Sequence, residues 1–314
     1  MELILFVANN VFPVFIIIAL GQVLRRLNII NANFCSIANQ LIFVVALPAF
    51  IFVEMLKLDV KKAFDFNLVG YAYLGTILTI LLAWAIGVWM KIEKVNLGAF
   101  VQGSFRGNLA IIGLALIQNI GGPPALGKAS VALAFVLPLY NIFAIVVLSV
   151  AGNSAGGDLY KKVLKDIAVN PLLIALGGGF IVAFARIQLP GIAITTVNYL
   201  ASLSLPLALI GIGGSLGKEN MQGTPKLALV ATLIKVLVSP VILTVFAYYL
   251  GFRGYDLLIL YIVFGAPTAI ISYVMADQMG SNGVLASSII MLTTFFSVFT
   301  ISAAVFVLKG LRLL

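Results

Sequence analysis

The chain has 314 residues, of which 62% are hydrophobic and 9% are charged, with mean hydropathy +1.18 and a formal net charge of +9. Soluble domains carry about 25% charged residues, so this composition excludes an ordinary soluble protein. The basic residues come one to three at a time in short connecting segments, which is typical of loops between membrane spans and excludes a nucleic-acid-binding surface.

Hydropathy and helix-breaking residues predict an all-α polytopic membrane protein. Many of its apolar runs reach about 20 residues, enough to cross the hydrocarbon core as a helix. Helices are expected because each span must satisfy its own backbone hydrogen bonds in lipid. In chain order, the ten predicted spans are residues 4–24, 34–56, 68–90, 98–118, 128–151, 167–186, 192–215, 226–250, 256–279 and 284–308.

The first apolar run is predicted to be a span and not a cleavable signal. It follows the acidic Glu2 and ends in Arg25-Arg26, with no small-residue cleavage site. Lys and Arg divide nine against eight between the two sides of the membrane, so charge counting does not decide the orientation. The Arg25-Arg26 pair and the basic central loop favour an N-terminus outside the cell membrane.

Histidine is absent and Cys35 is the single cysteine. The sequence therefore offers no Ser-His pair, no HExxH zinc motif and no internal disulfide. We expect a protein that is not an enzyme and that needs no cofactor or metal.

The most polar connector, residues 152–166, divides the ten spans into two sets of five, residues 1–151 and 167–314. The halves resemble one another, since Leu47-Pro48 lies 158 residues before Leu205-Pro206, and the triplet at 110–112 (AII) lies 159 residues before that at 269–271. An odd number of spans per half makes the second half enter the membrane in the opposite direction. Such inverted repeats are characteristic of secondary transporters.

Two spans are predicted to be interrupted near the membrane midplane. Pro267 removes a backbone donor from span 9, and Gly107 and Asn108 tolerate non-helical backbone in span 4. The second half-helices would begin near Leu109 and Thr268 and direct their N-terminal amides at the midplane, which suits a carboxylate. The alternative is that Pro267 only kinks a packed helix.

Arg106 has two interpretations that the sequence leaves open. A guanidinium within a span should face protein or a watery cavity, where it matches a carboxylate bidentately. Arg106 also precedes the expected break, where it would neutralise the negative end of the first half-helix.

Other polar residues within the spans are weaker candidates. Lys235 lies in span 8 and is either a coupling charge or a partner for a broken helix, and the structural role is favoured. Asp277 ends span 9, where it would carry a proton or simply contact water. Asn141 in span 5 is expected to form an interhelical hydrogen bond.

Several stretches are similar to one known family. They are residues 41–52 (LIFVVALPAFIF), 108–116 (NLAIIGLAL), 170–176 (NPLLIAL), 205–216 (LPLALIGIGGSL) and 267–288 (PTAIISYVMADQMGSNGVLASS). On these residues the chain resembles the auxin efflux carrier family, which includes plant PIN-type auxin carriers and bacterial permeases for malate or malonate.

The resemblance implies ten helices in two inverted five-helix repeats with crossing breaks in helices 4 and 9, as in bile acid symporters and NhaA. It implies a scaffold of spans 1, 2, 6 and 7, and a transport domain of spans 3–5 and 8–10. It also places Asn108, which matches the crossover asparagine of the family, at the substrate site, and it matches Pro267 to the crossover proline of span 9. A homodimer through the scaffold helices is left open.

Together these observations predict a secondary transporter of a small organic anion, a mono- or dicarboxylate, that works by alternating access. Its partners would be that anion and the lipid bilayer. Coupling to protons, sodium or the membrane potential is left open, and a channel-like uniporter or a solute sensor on the same fold is the alternative. The predicted substrate-binding residues are Asn108, Arg106, Gly107, Pro267, Thr268, Ala266 and Asn141, with Lys235 and Asp277 as coupling or structural charges.

Overall fold

The structure is a computed structural model, and it describes residues 2–56, 65–151, 169, 171–215 and 224–314. These residues are almost entirely helical, as the hydropathy predicts. The predicted central loop, residues 152–166, lies outside the described residues.

The described residues form fourteen α-helices. In chain order they are α1 (Glu2–Arg26), α2 (Ala32–Leu41), α3 (Leu47–Leu56), α4 (Phe66–Trp89), α5 (Lys94–Phe105), α6 (Leu114–Ala151), α7 (Pro171–Phe184), α8 (Gly191–Ser202), α9 (Ser204–Ser215), α10 (Pro225–Leu233), α11 (Ser239–Tyr249), α12 (Tyr255–Gly265), α13 (Ile271–Gln278) and α14 (Gly283–Gly310). Three π-helical turns, Ile42–Ala46, Leu109–Gly113 and Ile234–Val238, join α2 to α3, precede α6, and join α10 to α11.

Six helical segments in the described ranges are long and apolar enough to cross a membrane. They are Ala32–Val53, Phe66–Trp89, Leu109–Ala151, Gly191–Gly214, Pro225–Tyr249 and Gly283–Gly310. The chain is therefore a multi-pass membrane protein. The count of ten spans in two inverted repeats stays a prediction.

Helix α6 is broken at Gly122, which has φ +65° and ψ −166°. A positive φ is readily adopted by glycine and strained for other residues. The helix is kinked there, between the spans predicted at residues 98–118 and 128–151.

Helices α1 and α9 lie so close together that glycine is required on both. A Cβ on Gly213 would overlap the carbonyl oxygen of Ile18 and lie 2.8 Å from its carbonyl carbon. A Cβ on Gly21 would likewise overlap the carbonyl oxygen of Ile210. Small residues that let two backbones approach are a common source of helix association in membranes, where packing replaces the hydrophobic effect.

A charged cluster joins the N-terminal ends of α4 and α12 to α6. The Lys128 ammonium lies 3.0 Å from Asp65 Oδ2 and 2.5 Å from Asp256 Oδ1. Asp65 also caps α4, because its Oδ1 accepts a 3.0 Å hydrogen bond from the Leu68 N–H. Burial alone would raise the pKa of the Asp65 carboxyl, but this hydrogen bond and the Lys128 ammonium bring that pKa below its ordinary value.

We expect Gly213→Ala to lower the free energy of unfolding by about 1–3 kcal/mol, because the added methyl group forces α1 and α9 apart. Thermal unfolding in detergent measures this. Gly70→Ala is the matched control, since a Cβ on Gly70 meets nothing within 4 Å and alanine is the better helix former. Equal melting temperatures for Gly213→Ala and the wild type would show that the close contact is not needed.

We expect Asp65→Ala to destabilise the protein by about 0.5–2 kcal/mol more than Asp65→Asn, because asparagine retains the helix cap. Since the folded-state pKa of Asp65 lies below its ordinary value of 3.8, the stability it contributes is complete above that value. That stability is lost as the pH falls through the lowered folded-state pKa. Thermal unfolding measured between neutral pH and pH 3 should therefore show a weaker acid dependence for Asp65→Asn than for the wild type.

Candidate functional site

Two helices are interrupted where the sequence predicts breaks. Helix α5 ends at Phe105, and the next helical turn begins at Leu109. Helix α12 ends at Gly265, and α13 begins at Ile271. Each interruption leaves a short non-helical segment within an otherwise apolar course.

The two interruptions lie against each other. Gly107 and Thr268 form an isolated antiparallel bridge. The backbone N–H of Asn108 donates to the carbonyl oxygen of Pro267 at 2.7 Å. The breaks therefore form one crossover, and each supplies backbone hydrogen-bond partners to the other.

The second half-helix of the later break starts three residues after the predicted position. Thr268 was expected to begin it, whereas Ile271 does. The backbone pairing continues through Ala269, whose N–H donates to the Arg106 carbonyl oxygen at 3.0 Å, and the Thr268 N–H donates to Thr293 Oγ1 at 3.0 Å. The helical hydrogen bonds of α13 begin only after this pairing ends. The backbone amides of Thr268 and Ala269 are therefore hydrogen-bonded within the protein.

Three predicted site residues serve the crossover itself. The Thr268 hydroxyl donates to the Gly103 carbonyl oxygen at 2.7 Å and so ties the later break to α5. Ala266 is fully buried, and the Pro267 carbonyl accepts the bond from Asn108. Ala266, Pro267 and Thr268 are not among the described residues that line the adjoining cavity.

A cavity of about 350 Å³ adjoins the crossover. Its walls come from α2, α3 and the segment joining them, from α9, from α6, and from residues in and immediately after each break. Most of the lining is apolar. The polar lining residues in the described part of the chain are Ser36, Arg106, Asn108, Tyr140 and Asn141.

Arg106 supplies the cavity with a buried positive charge. Its side chain is 6% exposed. Nη2 donates to Asn141 Oδ1 at 2.5 Å, and Nη1 contacts Met275 Sδ at 2.7 Å. Among the described side chains its hydrogen-bond partners are thus neutral. The contact with Asn141 is the interhelical hydrogen bond that the sequence predicts for that residue.

Asn108 presents an amide to the same cavity. Its backbone oxygen accepts the Gly113 N–H at 3.1 Å, whereas its side chain makes no hydrogen bond to any described residue. The backbone amides of Leu109 and Ala110, in the first turn of the new helix, also have no acceptor in the described part of the protein. Gly107 lines the cavity between Arg106 and Asn108.

Lys235 lies behind the crossover and not in the cavity lining. It is 1% exposed, and its ammonium donates to the Phe264 carbonyl oxygen at 2.7 Å. That oxygen belongs to the last turn of α12, where the helix dipole is negative. Lys235 Nζ would lie 3.1 Å from a Cβ on Gly107, so glycine allows this close approach. This geometry matches the structural role of Lys235.

Two lining or neighbouring residues were missed by sequence reasoning. The Tyr140 hydroxyl donates to the Val263 carbonyl oxygen at 3.0 Å, and its ring forms part of the cavity wall. Tyr140 lies next to Asn141 in the sequence, and this position was the one feature from which its place at the site could be predicted. Met275 carries no such signal, because a methionine in a span is ordinarily packing. The side chain of Asp277 lies outside the described residues.

Comparisons with known proteins show similarity to membrane transporters. The chain is 24% identical to an uncharacterized transporter of Methanocaldococcus jannaschii, over 93% of this chain and 96% of the relative. It is 24% identical to an uncharacterized transporter of Methanothermobacter thermautotrophicus, over 92% and 94%. It is 26% identical to a Rhizobium meliloti protein named "Putative malonate transporter", over 97% and 96%.

The sequence model of a family described as membrane transport protein matches residues 6–158 and 157–305. These two segments span almost the whole chain. The resemblance drawn from the sequence is thereby confirmed, and the chain belongs to this membrane transport protein family, that of the auxin efflux carriers.

Proposed function

We propose that the protein is a secondary transporter of a small organic anion, a mono- or dicarboxylate, across the cell membrane. The observation that carries this proposal is the buried guanidinium of Arg106, which lines a cavity and contacts neutral groups in the described part of the chain. A buried charge without a counter-charge is costly. An anion in the cavity would supply that counter-charge.

The cavity suits a small carboxylate in size and in chemistry. Its volume of about 350 Å³ falls in the range of small-molecule sites. Arg106 can donate two parallel hydrogen bonds to a carboxylate, and the free Asn108 amide adds a donor on the same wall. The apolar remainder of the lining would contact the carbon skeleton. The name of the Rhizobium meliloti relative agrees with a carboxylate as substrate.

Alternating access would use the boundary that the cavity straddles. Ile42 and Ile212 come from spans assigned by resemblance to the scaffold, whereas Arg106, Asn108 and Asn141 come from spans assigned to the transport domain. A rigid movement of one group against the other would expose the same anion first to one side of the membrane and then to the other. Such a mechanism requires that both the scaffold and the transport domain contribute residues to the cavity.

We expect Arg106→Gln to weaken carboxylate binding by about 10–100-fold, because one charge-assisted pairing is lost. The measurement is a thermal-shift titration of purified protein with a panel of acetate, malonate, succinate and related acids, since a ligand that binds the folded state raises its melting temperature. Arg253→Gln is the control, because Arg253 is exposed and donates to the Tyr248 and Phe252 carbonyls away from the cavity. A lower melting temperature with full carboxylate binding would assign Arg106 to the helix end alone.

We expect Asn108→Ala to reduce uptake in proteoliposomes by about tenfold, the effect of losing one hydrogen bond to a charged group. The amount of folded protein should change little, because the backbone of Asn108 makes the crossover bonds and its side chain makes none to the described residues. Size-exclusion profiles and melting temperature verify the fold. Uptake at the wild-type rate would remove Asn108 from the substrate site.

A further inference from the structure

Gln102 is a buried polar residue whose amide is not satisfied. It lies on α5 four residues before Arg106, and its side chain has no exposed surface. Nε2 lies 3.8 Å from Met275 Sδ, and Oε1 has no hydrogen-bond partner among the described residues. Exchanging the two ends of the amide would leave the oxygen facing Met275 Sδ, which has no proton to donate. Such buried unsatisfied groups are rare and call for an explanation.

The same sulfur atom receives the Arg106 guanidinium. Nη1 of Arg106 contacts Met275 Sδ at 2.7 Å, so the ends of Gln102 and Arg106 converge on one atom. A thioether is a weak acceptor, whereas an amide oxygen is a good one. The guanidinium has five N–H donors and bonds to Met275 and Asn141 in the described part of the protein. Arg106 caps α5, and its backbone N–H donates to the Gln102 carbonyl oxygen at 3.0 Å, so the two residues are neighbours at the end of the helix.

We propose that Gln102 is a positioning residue that receives the Arg106 guanidinium while the empty carrier crosses between its two states. This inference rests on the proposed function. In the conformation seen here, Arg106 lines the open cavity and is available to an anion. When the cavity closes without an anion, Arg106 loses both the ligand and the water of the cavity. The unpaired Gln102 oxygen, already buried beside it, then supplies an acceptor.

The proposed role of Gln102 predicts different effects on two modes of transport, exchange and net uptake. In exchange of one anion for another, the site is loaded on every crossing and Arg106 is paired with the ligand. In net uptake, the site must return empty after each delivery, and only this step uses Gln102. A residue that merely supports the fold would affect both modes equally.

The test is Gln102→Leu in proteoliposomes, with radiolabelled acetate, malonate and succinate as probes. Exchange is measured with unlabelled anion inside the vesicles, and net uptake with none inside. We expect net uptake to fall about tenfold, the effect of losing one charge-assisted hydrogen bond in the return step. The rate of exchange and its KM should stay at wild-type values. Because Gln102→Leu removes an unsatisfied buried group, the melting temperature should stay the same or rise.

Two further variants distinguish a positioning role of Gln102 from a role in the fold. Ser104→Ala removes a buried hydroxyl on the same helix that is satisfied by the Phe100 carbonyl, and it should alter both modes in parallel. Gln102→Glu provides a charged partner that holds the guanidinium permanently, so it should raise the KM of exchange.

Equal losses in exchange and net uptake for Gln102→Leu, or unchanged net uptake, would overturn the positioning role. An unchanged exchange KM for Gln102→Glu would do the same. If the wild-type protein carries none of the three anions in either mode, the proposed function fails and this inference with it. Wild-type transport combined with parallel effects contradicts only the role of Gln102.

Discussion

The candidate site depends on the pairing of two short extended segments in the interior of the protein. Interrupting a helix in lipid frees backbone donors and acceptors that water cannot satisfy there, and each such group costs several kcal/mol if left unpaired. Here the Asn108 N–H reaches the Pro267 oxygen, and the Ala269 N–H reaches the Arg106 oxygen. Each break therefore depends on the other, because the extended residues of one supply hydrogen-bond partners to the extended residues of the other.

The two buried cations at the crossover occupy different chemical positions. Lys235 donates to the Phe264 carbonyl at the end of α12 and lies behind Gly107, so its charge offsets a helix dipole. Arg106 follows the last residue of α5 and lines the cavity. Its guanidinium contacts Asn141 and Met275 and no α5 carbonyl oxygen among the described residues, so both interpretations of Arg106 stay predictions.

The sequence predicts the location of the crossover better than its details. Pro267 and the Gly107-Asn108 pair mark the breaks because they change what the local backbone can do, and that is visible in one stretch of chain. The start of α13 at Ile271 and the contact of Arg106 with Met275 depend on pairing between segments more than 150 residues apart. No local propensity encodes such contacts, and Tyr140 and Met275 were missed for the same reason.

The neutrality of the partners of Arg106 has a functional consequence. A carboxylate in place of Asn141 or Met275 would hold the guanidinium more firmly, and it would compete with any anion that entered the cavity. An amide and a thioether instead orient the side chain while leaving its charge available. The empty site is therefore less stable than one in which the guanidinium forms a buried ion pair. On the proposed function, a bound anion removes this loss of stability. On the same proposal, the binding energy of the anion includes the relief of a buried charge whose contacts in the described part of the chain are all neutral.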